Sequence, residues 1–158
     1  MKPFHSNARV ACVRGPIDAV SYGHNPVDIS VGARVLFVGT TRGTTGGVVT
    51  HALEYEAHEA AAVHHLNGLA SRALNRWSLS ECVIVHRLGR VPVGEASVVV
   101  CVCAGHRAEA FAAVEWLMER VKDSVPIWKC EESSDGQRRW IHPEGGRMTP
   151  ANSQEEWS

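Results

Sequence analysis

Two lysines and one arginine-containing loop are the residues of this 158-residue chain best suited to chemistry on anions. Lys122 lies in the last turn of a predicted helix. Lys129 follows Val125-Pro126, where proline ends the helix and the chain becomes extended. If the chain doubles back there, both ammonium groups can face one pocket. Arg42 lies in a loop of glycines and threonines, where backbone can approach a ligand closely and a guanidinium can bind an oxyanion.

His106 and Arg107 lie where the same helix should begin. A helix N-terminus favours anions, because its backbone N–H groups are unpaired and the macrodipole is positive there. Two basic side chains at this place cost stability, so the pair predicts a bound phosphate or carboxylate. The alternatives remain open at this point: a packing helix with solvated basic ends, surface lysines, and a plain flexible hairpin at the Arg42 loop.

The elements that must position these groups follow from periodicity. Two main amphipathic helices are predicted, at residues 57–77 and 106–122, with a shorter one at 17–22. The apolar stripe of the 106–122 helix consists of Ala110, Phe111, Val114, Leu117, Met118 and Val121. Strands are predicted at 8–14, 34–38, 48–56, 81–87, 95–104, 125–132 and 138–142, with a turn-rich connection at 88–94.

Short turns between several of the strands indicate an α+β fold with a largely antiparallel sheet. We expect a single domain over residues 1–142 and a mobile tail over 143–158, which is rich in glycine, proline and glutamate.

Composition excludes several classes of function. Sixteen basic and seventeen acidic side chains leave a formal charge of −1, so no global field attracts nucleic acid or an anionic membrane. No apolar run reaches the roughly 18 residues of a spanning helix, and no signal-peptide core follows the first residues. The five cysteines are an odd number without framework spacing, which favours a reducing compartment. We therefore expect a cytoplasmic protein.

A metal site is not predicted. Cys101 and Cys103 point to the same face of a valine-rich strand, as buried thiols would. His58-Glu59 lacks the second histidine of an HExxH pattern, and the chain has no CxxC.

Several short motifs, taken together, resemble the catalytic large subunit family of molybdopterin synthase over about residues 10–141. They are Gly32-Ala33-x-Val35-x-Phe37-x-Gly39 with Arg42, Leu53-Glu-Tyr-Glu56, Val85-His-Arg-Leu-Gly89, His106-Arg107-x-x-Ala110-Phe111 and Val125-Pro-Ile-Trp-Lys129-x-Glu131.

The resemblance implies an α/β hammerhead fold and a homodimer within a heterotetramer, each protomer binding one small ubiquitin-like sulfur-carrier subunit. It also implies a reaction, in which sulfur passes from the carrier's C-terminal thiocarboxylate to cyclic pyranopterin monophosphate and forms the dithiolene of molybdopterin. No protein-bound cofactor is implied. Both reactants are anionic, so a pocket lined by cations suits them.

By the same resemblance, Lys122 and Lys129 are the catalytic residues. Lys122 is expected to act by proton transfer or by electrostatic stabilisation, and Lys129 to hold the C-terminus of the carrier or the substrate. The implied substrate-binding residues are Thr40, Thr41, Arg42, His106, Arg107, Lys122, Lys129, Cys130 and Glu131. Glu131 is expected to orient Lys129.

The chain departs from the family pattern at two places. Thr40 and Thr41 stand where a valine more often precedes the arginine, and Cys130 stands where a basic or polar residue is common. A thiol beside two lysines can be an activated nucleophile, which raises a rival hypothesis, a thiol or persulfide sulfurtransferase that uses Cys130. A third hypothesis is a non-catalytic scaffold that binds a ubiquitin-like partner.

Overall fold

A computed structural model describes residues 7–24 and 28–141. Its three helices are α1 (Ala19–Gly23), α2 (Glu59–Arg76) and α3 (Arg107–Ser124). Its strands are β1 (Ala8–Val13), β2 (Ala33–Thr40), β3 (Thr44–Thr45), β4 (Val48–Ala57), β5 (Glu81–Arg87), β6 (Gly89–Pro92), β7 (Ala96–Ala104), β8 (Ile127–Ser133) and β9 (Arg138–Ile141). The predicted tail, 143–158, lies outside the described residues.

The strands of the described residues form two sheets. The first sheet has the strand order β1-β5-β7-β2, and the second has the order β3-β4-β8-β9 with β6 alongside β4. All pairings among these strands are antiparallel except that of β1 with β5. The predicted α+β fold with a largely antiparallel sheet is confirmed.

The main core lies between the first sheet and the two long helices. Leu66 and Leu69 of α2, Leu117 of α3 and Ile84 of β5 are among its fully buried side chains. Phe111 was wrongly placed in this core by the sequence pattern, since its side chain is 62% exposed. At 3.6 residues per turn it lies about 100° around the helix from Ala110, beyond the edge of the buried stripe.

The connection at 88–94 was also wrongly predicted as turn alone, because β6 lies within it. Residues 89–92 pair with β4, from Tyr55 opposite Gly89 to Ala52 opposite Pro92. A proline and two glycines in this segment made the sequence pattern indicate a turn. The proline is tolerated because β6 is a short edge strand that pairs only with β4.

α3 ends two residues beyond the predicted position 122, at the break that the sequence predicted before Pro126. The last helical residue is Ser124, and Val125 is already extended with φ −82° and ψ 129° before Pro126. The chain then enters β8, which pairs with β4. This reversal brings the end of α3 beside the second sheet, where the candidate site lies.

No helix among the described residues is long and apolar enough to cross a membrane.

Candidate functional site

A pocket of about 770 Å³ lies between the two sheets at the C-terminal end of α3. Three cationic side chains line it, those of Arg42, Lys122 and Lys129. Each comes from a different part of the chain: the loop after β2, the last turn of α3, and β8. The predicted convergence of the two lysines therefore occurs within one protomer.

Strand register explains why β8 contributes alternate residues. Lys129 pairs with Tyr55 of β4 and Glu131 with Leu53, and all four of these side chains line the pocket. Directly paired residues of antiparallel strands project from the same face, and successive residues project from opposite faces. Cys130, between them, belongs to the other face with its partners Glu54 and Trp140.

The α3 wall of the pocket consists of its last two turns. Met118, Val121 and Lys122 recur at the spacing of one helical face and all line the pocket. Val121 is buried, whereas Lys122 is exposed although it lines the pocket. Asp123, which the sequence analysis did not single out, also lines this wall.

The loop that carries Arg42 is held in place by the backbone of its neighbours. The amide of Thr41 donates to the carbonyl of Glu95 over 3.1 Å, and the amide of Thr50 donates to the carbonyl of Gly43 over 3.0 Å. Thr40 lines the pocket, whereas Thr41 does not and is only 2% exposed. Its hydroxyl has no hydrogen-bond partner among the described residues.

Lys129 is electrostatically perturbed in this setting. Its pKa lies below the usual lysine value, chiefly because partial burial disfavours the charged ammonium. The neighbouring charges of Lys122 and Arg42 lower this pKa further, and that of Glu131 raises it. A lysine with a lowered pKa can lose a proton more readily near neutral pH, as general base catalysis requires.

Glu131 is a buried carboxylate, 4% exposed, whose oxygens are both engaged. Oε1 accepts a hydrogen bond from the Thr50 hydroxyl at 2.7 Å, and Oε2 accepts one from Arg139 at 3.2 Å. These contacts, the Thr50 bond foremost, keep its pKa below the ordinary glutamate value. The expected orienting contact with Lys129 is therefore not a direct ion pair in this structure; Glu131 acts on Lys129 through its charge.

Two ring side chains in the pocket were missed as site residues. Tyr55 and His86 form an edge-to-face pair with ring centroids 4.9 Å apart, and both line the pocket. His86 is the single histidine of β5, a strand that is otherwise largely apolar. That contrast with its neighbours was the available signal, but a lone strand histidine is more often a satisfied core residue.

The structure does not bring His106 and Arg107 to this pocket. They lie at the opposite end of α3, and Arg107 is fifteen residues, about 22 Å of helix, from Lys122. Both side chains are exposed, and His106 makes no side-chain capping hydrogen bond. Within one protomer, the pocket therefore includes the Lys122 end of α3 but not the His106-Arg107 end, and the assignment of His106 and Arg107 to substrate binding stays a prediction.

Cys130 does not line the pocket either. Its side chain is 1% exposed, and burial, the main cause, raises the pKa of its thiol. A buried thiol with a raised pKa is a poor nucleophile, because the thiolate is the reactive form. This geometry argues against the rival hypothesis that Cys130 carries the sulfur.

No group of three or more histidine, cysteine, aspartate or glutamate side chains within residues 7–24 and 28–141 is arranged to hold a metal ion.

Comparison with known proteins decides the family. A family model described as MoaE protein matches residues 13–124, well over half of the chain. The chain belongs to the MoaE protein family. The resemblance found in the sequence motifs is thereby confirmed.

Two relatives and one solved structure illustrate how far the family likeness extends. The molybdopterin synthase catalytic subunit of Emericella nidulans is 44% identical over 125 residues, which cover 79% of this chain and 63% of that protein. The subunit of the same name from Bacillus subtilis is 43% identical over 110 residues, covering 70% and 69%. The crystal structure of molybdopterin synthase from Staphylococcus aureus is 34% identical, with a TM-score of 0.77, and covers 84% of this chain and 96% of that one.

The matched region spans 63–65% of the length of three fungal relatives.

Proposed function

We propose that the protein is the catalytic subunit of a molybdopterin synthase. It transfers two sulfur atoms, one from each of two C-terminal thiocarboxylates of a small ubiquitin-like carrier subunit, to cyclic pyranopterin monophosphate, forming the dithiolene of molybdopterin. The observation that carries the proposal is the pocket in which Arg42, Lys122 and Lys129 converge. Family membership and relatives named catalytic subunits support it.

The charges of the pocket match the proposed reactants. The substrate carries a phosphate, and the carrier tail ends in an anionic thiocarboxylate. Among the described residues, no carboxylate forms a direct ion pair with Arg42, Lys122 or Lys129. The repulsion between these three like charges therefore costs stability. Two anionic reactants relieve that repulsion, so the pocket is preorganised for them.

We assign roles to the site residues on the basis of their positions. Arg42 binds the phosphate of the substrate through charge-assisted hydrogen bonds, and Thr40 lies beside it on the pocket wall. Lys122 stabilises the negative charge that develops when the thiocarboxylate sulfur attacks and the acyl intermediate forms. Lys129, whose pKa is lowered, transfers protons, and Glu131 sets the local charge around it.

We propose structural roles for Cys130 and Thr41. Both are buried behind the residues that line the pocket, so we assign them to the shape of β8 and of the Arg42 loop. Glu131 likewise fixes the strands, through Thr50 of β4 and Arg139 of β9.

The assembly is proposed from the family resemblance: a homodimer within a heterotetramer, with one carrier per protomer. The His106-Arg107 pair supports it, because this pair lies about 22 Å along α3 from the pocket of its own protomer. In a dimer, the pair of one protomer can reach the pocket of the other. The proposed location is the cytoplasm, which the free state of all five cysteines supports.

Reconstitution tests the proposed function. Purified protein, thiocarboxylated carrier and cyclic pyranopterin monophosphate are incubated, and product is measured as the fluorescent oxidised pterin. We expect product only with the thiocarboxylated carrier, and none with the carrier ending in an ordinary carboxylate. A protein that binds the carrier but yields no product would be a scaffold, and the enzyme proposal would be abandoned.

A further inference from the structure

His86 holds an unusual place at the inner wall of the pocket. It lies in β5, where it pairs with Val98 of β7 and Cys12 of β1, and its side chain is 6% exposed. The part that remains exposed faces the pocket, since the residue lines it. Each ring nitrogen of a buried histidine must form a hydrogen bond within the protein or be available to bind a ligand.

One ring nitrogen is committed to the protein. Nδ1 lies 2.8 Å from the backbone carbonyl oxygen of Arg87. A carbonyl oxygen only accepts, so Nδ1 carries the proton and donates. The backbone at this point is fixed, because the amide of Leu88 donates to the carbonyl of Val13 over 2.7 Å.

The other ring nitrogen is free to serve a ligand. Nε2 makes no hydrogen bond with any of the described residues. It is not fully buried either, so it remains in contact with the pocket space. Burial also lowers the pKa of His86 to about 4, so the ring is neutral at physiological pH. In this tautomer Nε2 carries a lone pair and accepts.

A neutral acceptor complements what the rest of the pocket offers. The three cations present donors only. Both oxygens of Glu131 are already occupied, and Asp123 is exposed at the end of α3. The inner wall at His86 therefore suits the part of a ligand that carries N–H donors, while the cations suit its anionic part.

We infer that Nε2 of His86 accepts a hydrogen bond from an N–H group of the heterocycle of the substrate, with Tyr55 packed against the imidazole to fix its plane. This rests on the proposed function, since a reduced pterin that carries a phosphate has both N–H donors and an anionic group. His86 thereby orients the heterocycle toward the lysines. It is a substrate-contacting residue that neither gives nor takes a proton.

Two substitutions separate this role from a structural one. His86→Gln places an amide oxygen near the position of Nε2 and gives up the bond to Arg87. His86→Asn keeps a donor near the position of Nδ1 and gives up the distal acceptor. Calorimetry with cyclic pyranopterin monophosphate should show binding about 3–10-fold weaker for His86→Asn, the worth of one hydrogen bond, and closer to wild type for His86→Gln.

The reverse order, with His86→Asn close to wild type and His86→Gln impaired, would show that only the bond to Arg87 matters and would overturn the inference. Carrier binding by both variants should equal that of wild type, which controls for folding.

A measurement on the unaltered protein removes any dependence on the variants. The ¹⁵N resonance of His86 Nε2 should shift when the precursor is added, because a hydrogen bond to its lone pair changes its shielding. If wild type forms product and binds precursor but this resonance does not move, the inference fails and the proposed function stands. If wild type neither binds precursor nor forms product, both fail.

Discussion

The two ends of α3 carry the same kind of charge in different surroundings. At the C-terminal end, Lys122 lines a pocket together with Lys129 and Arg42, and its charge lowers the pKa of Lys129. At the N-terminal end, the side chains of His106 and Arg107 are exposed and make no hydrogen bond or ion pair with the described residues. A helix with cations at both ends thus has one end built into a site and one end left open to solvent.

The difference shows that position in the fold, rather than charge, makes a site. Cations that share a recess repel one another and perturb each other's proton affinity, so an anionic reactant is stabilised there. Exposed cations at a helix start lie in water, where each interaction is weak and screened by salt. The open end becomes part of a site only if another molecule covers it.

Removing Lys122, the cation at the C-terminal end of α3, should have the largest effect on the rate of sulfur transfer. Lys122→Ala should lower the rate of sulfur transfer by roughly 10²–10⁴-fold, the range for losing an electrostatic stabiliser or a general acid–base group. The measurement is single-turnover product formation from thiocarboxylated carrier. The fold should persist, because the side chain is exposed.

The matched control is Arg120→Ala, which removes an exposed cation from the same end of α3 but not from the pocket lining. It should keep nearly full activity. Comparable losses in both variants would mean that the general charge of the helix end, not the pocket, is what the reaction needs.

The role of Arg107, at the N-terminal end of α3, is tested with dimers that combine two different variant protomers. Arg107→Ala should weaken precursor binding by roughly 10–100-fold, the worth of a charge-assisted hydrogen bond. Hybrids of one Arg107→Ala and one Lys122→Ala protomer, isolated by two affinity tags, should recover roughly half of the wild-type activity, because one of two symmetric sites is then intact.

Hybrids that show only the low activity of the two parent variants would place Arg107 and Lys122 in the same protomer's site or exclude Arg107 from any site. A wild-type level of precursor binding by Arg107→Ala would remove this end of α3 from the function altogether.

Sequence reasoning succeeded where local rules decide the outcome. Pro126 ends α3, and the period of two along β8 places Lys129 and Glu131 on one face, so the convergence of Lys122 with Lys129 was predictable. It failed for Phe111, whose exposure depends on where the helix meets the sheet. Helix length could have placed Arg107 outside the pocket of its own protomer, because the predicted 106–122 helix already separates it from Lys122 by roughly 22 Å.

The aromatic part of the site was beyond local rules for another reason. His86 and Tyr55 are 31 positions apart in sequence, in different sheets, and meet only because the sheets face one another at the pocket. β6 was hidden in the same way, since its pairing with β4 is a tertiary contact that outweighs the turn-forming residues within it.

The repulsion between Arg42 and Lys129 predicts that the pH dependence of the reaction rate changes when Arg42 is neutralised. The pKa of Lys129 is lowered in part by Arg42, so Arg42→Gln should raise it. If Lys129 acts as a base, the rate rises as pH passes through this pKa, and in the variant that rise should move to higher pH. The readout is the single-turnover rate at saturating precursor as a function of pH.

Arg120→Gln, which leaves the pocket charges untouched, should keep the wild-type profile. An unchanged profile in Arg42→Gln would mean that the rising limb belongs to another group. A move to lower pH would contradict the sign of the coupling between two like charges.

The smallest effect is expected at Cys130, which lies in β8 between two pocket residues but faces away from them. Cys130→Ser should retain most of the sulfur transfer from thiocarboxylated carrier and lower the free energy of unfolding by roughly 1 kcal/mol, since it introduces a hydroxyl into a site that is 1% exposed. Cys130→Ala is the control for volume, and both are measured by product formation and thermal melting. Loss of sulfur transfer in the serine and alanine variants, with folding retained and Lys122→Ala still active, would make this thiol the sulfur carrier. The buried face of β8 would then be the functional one, and the comparison between the two ends of α3 would lose its meaning.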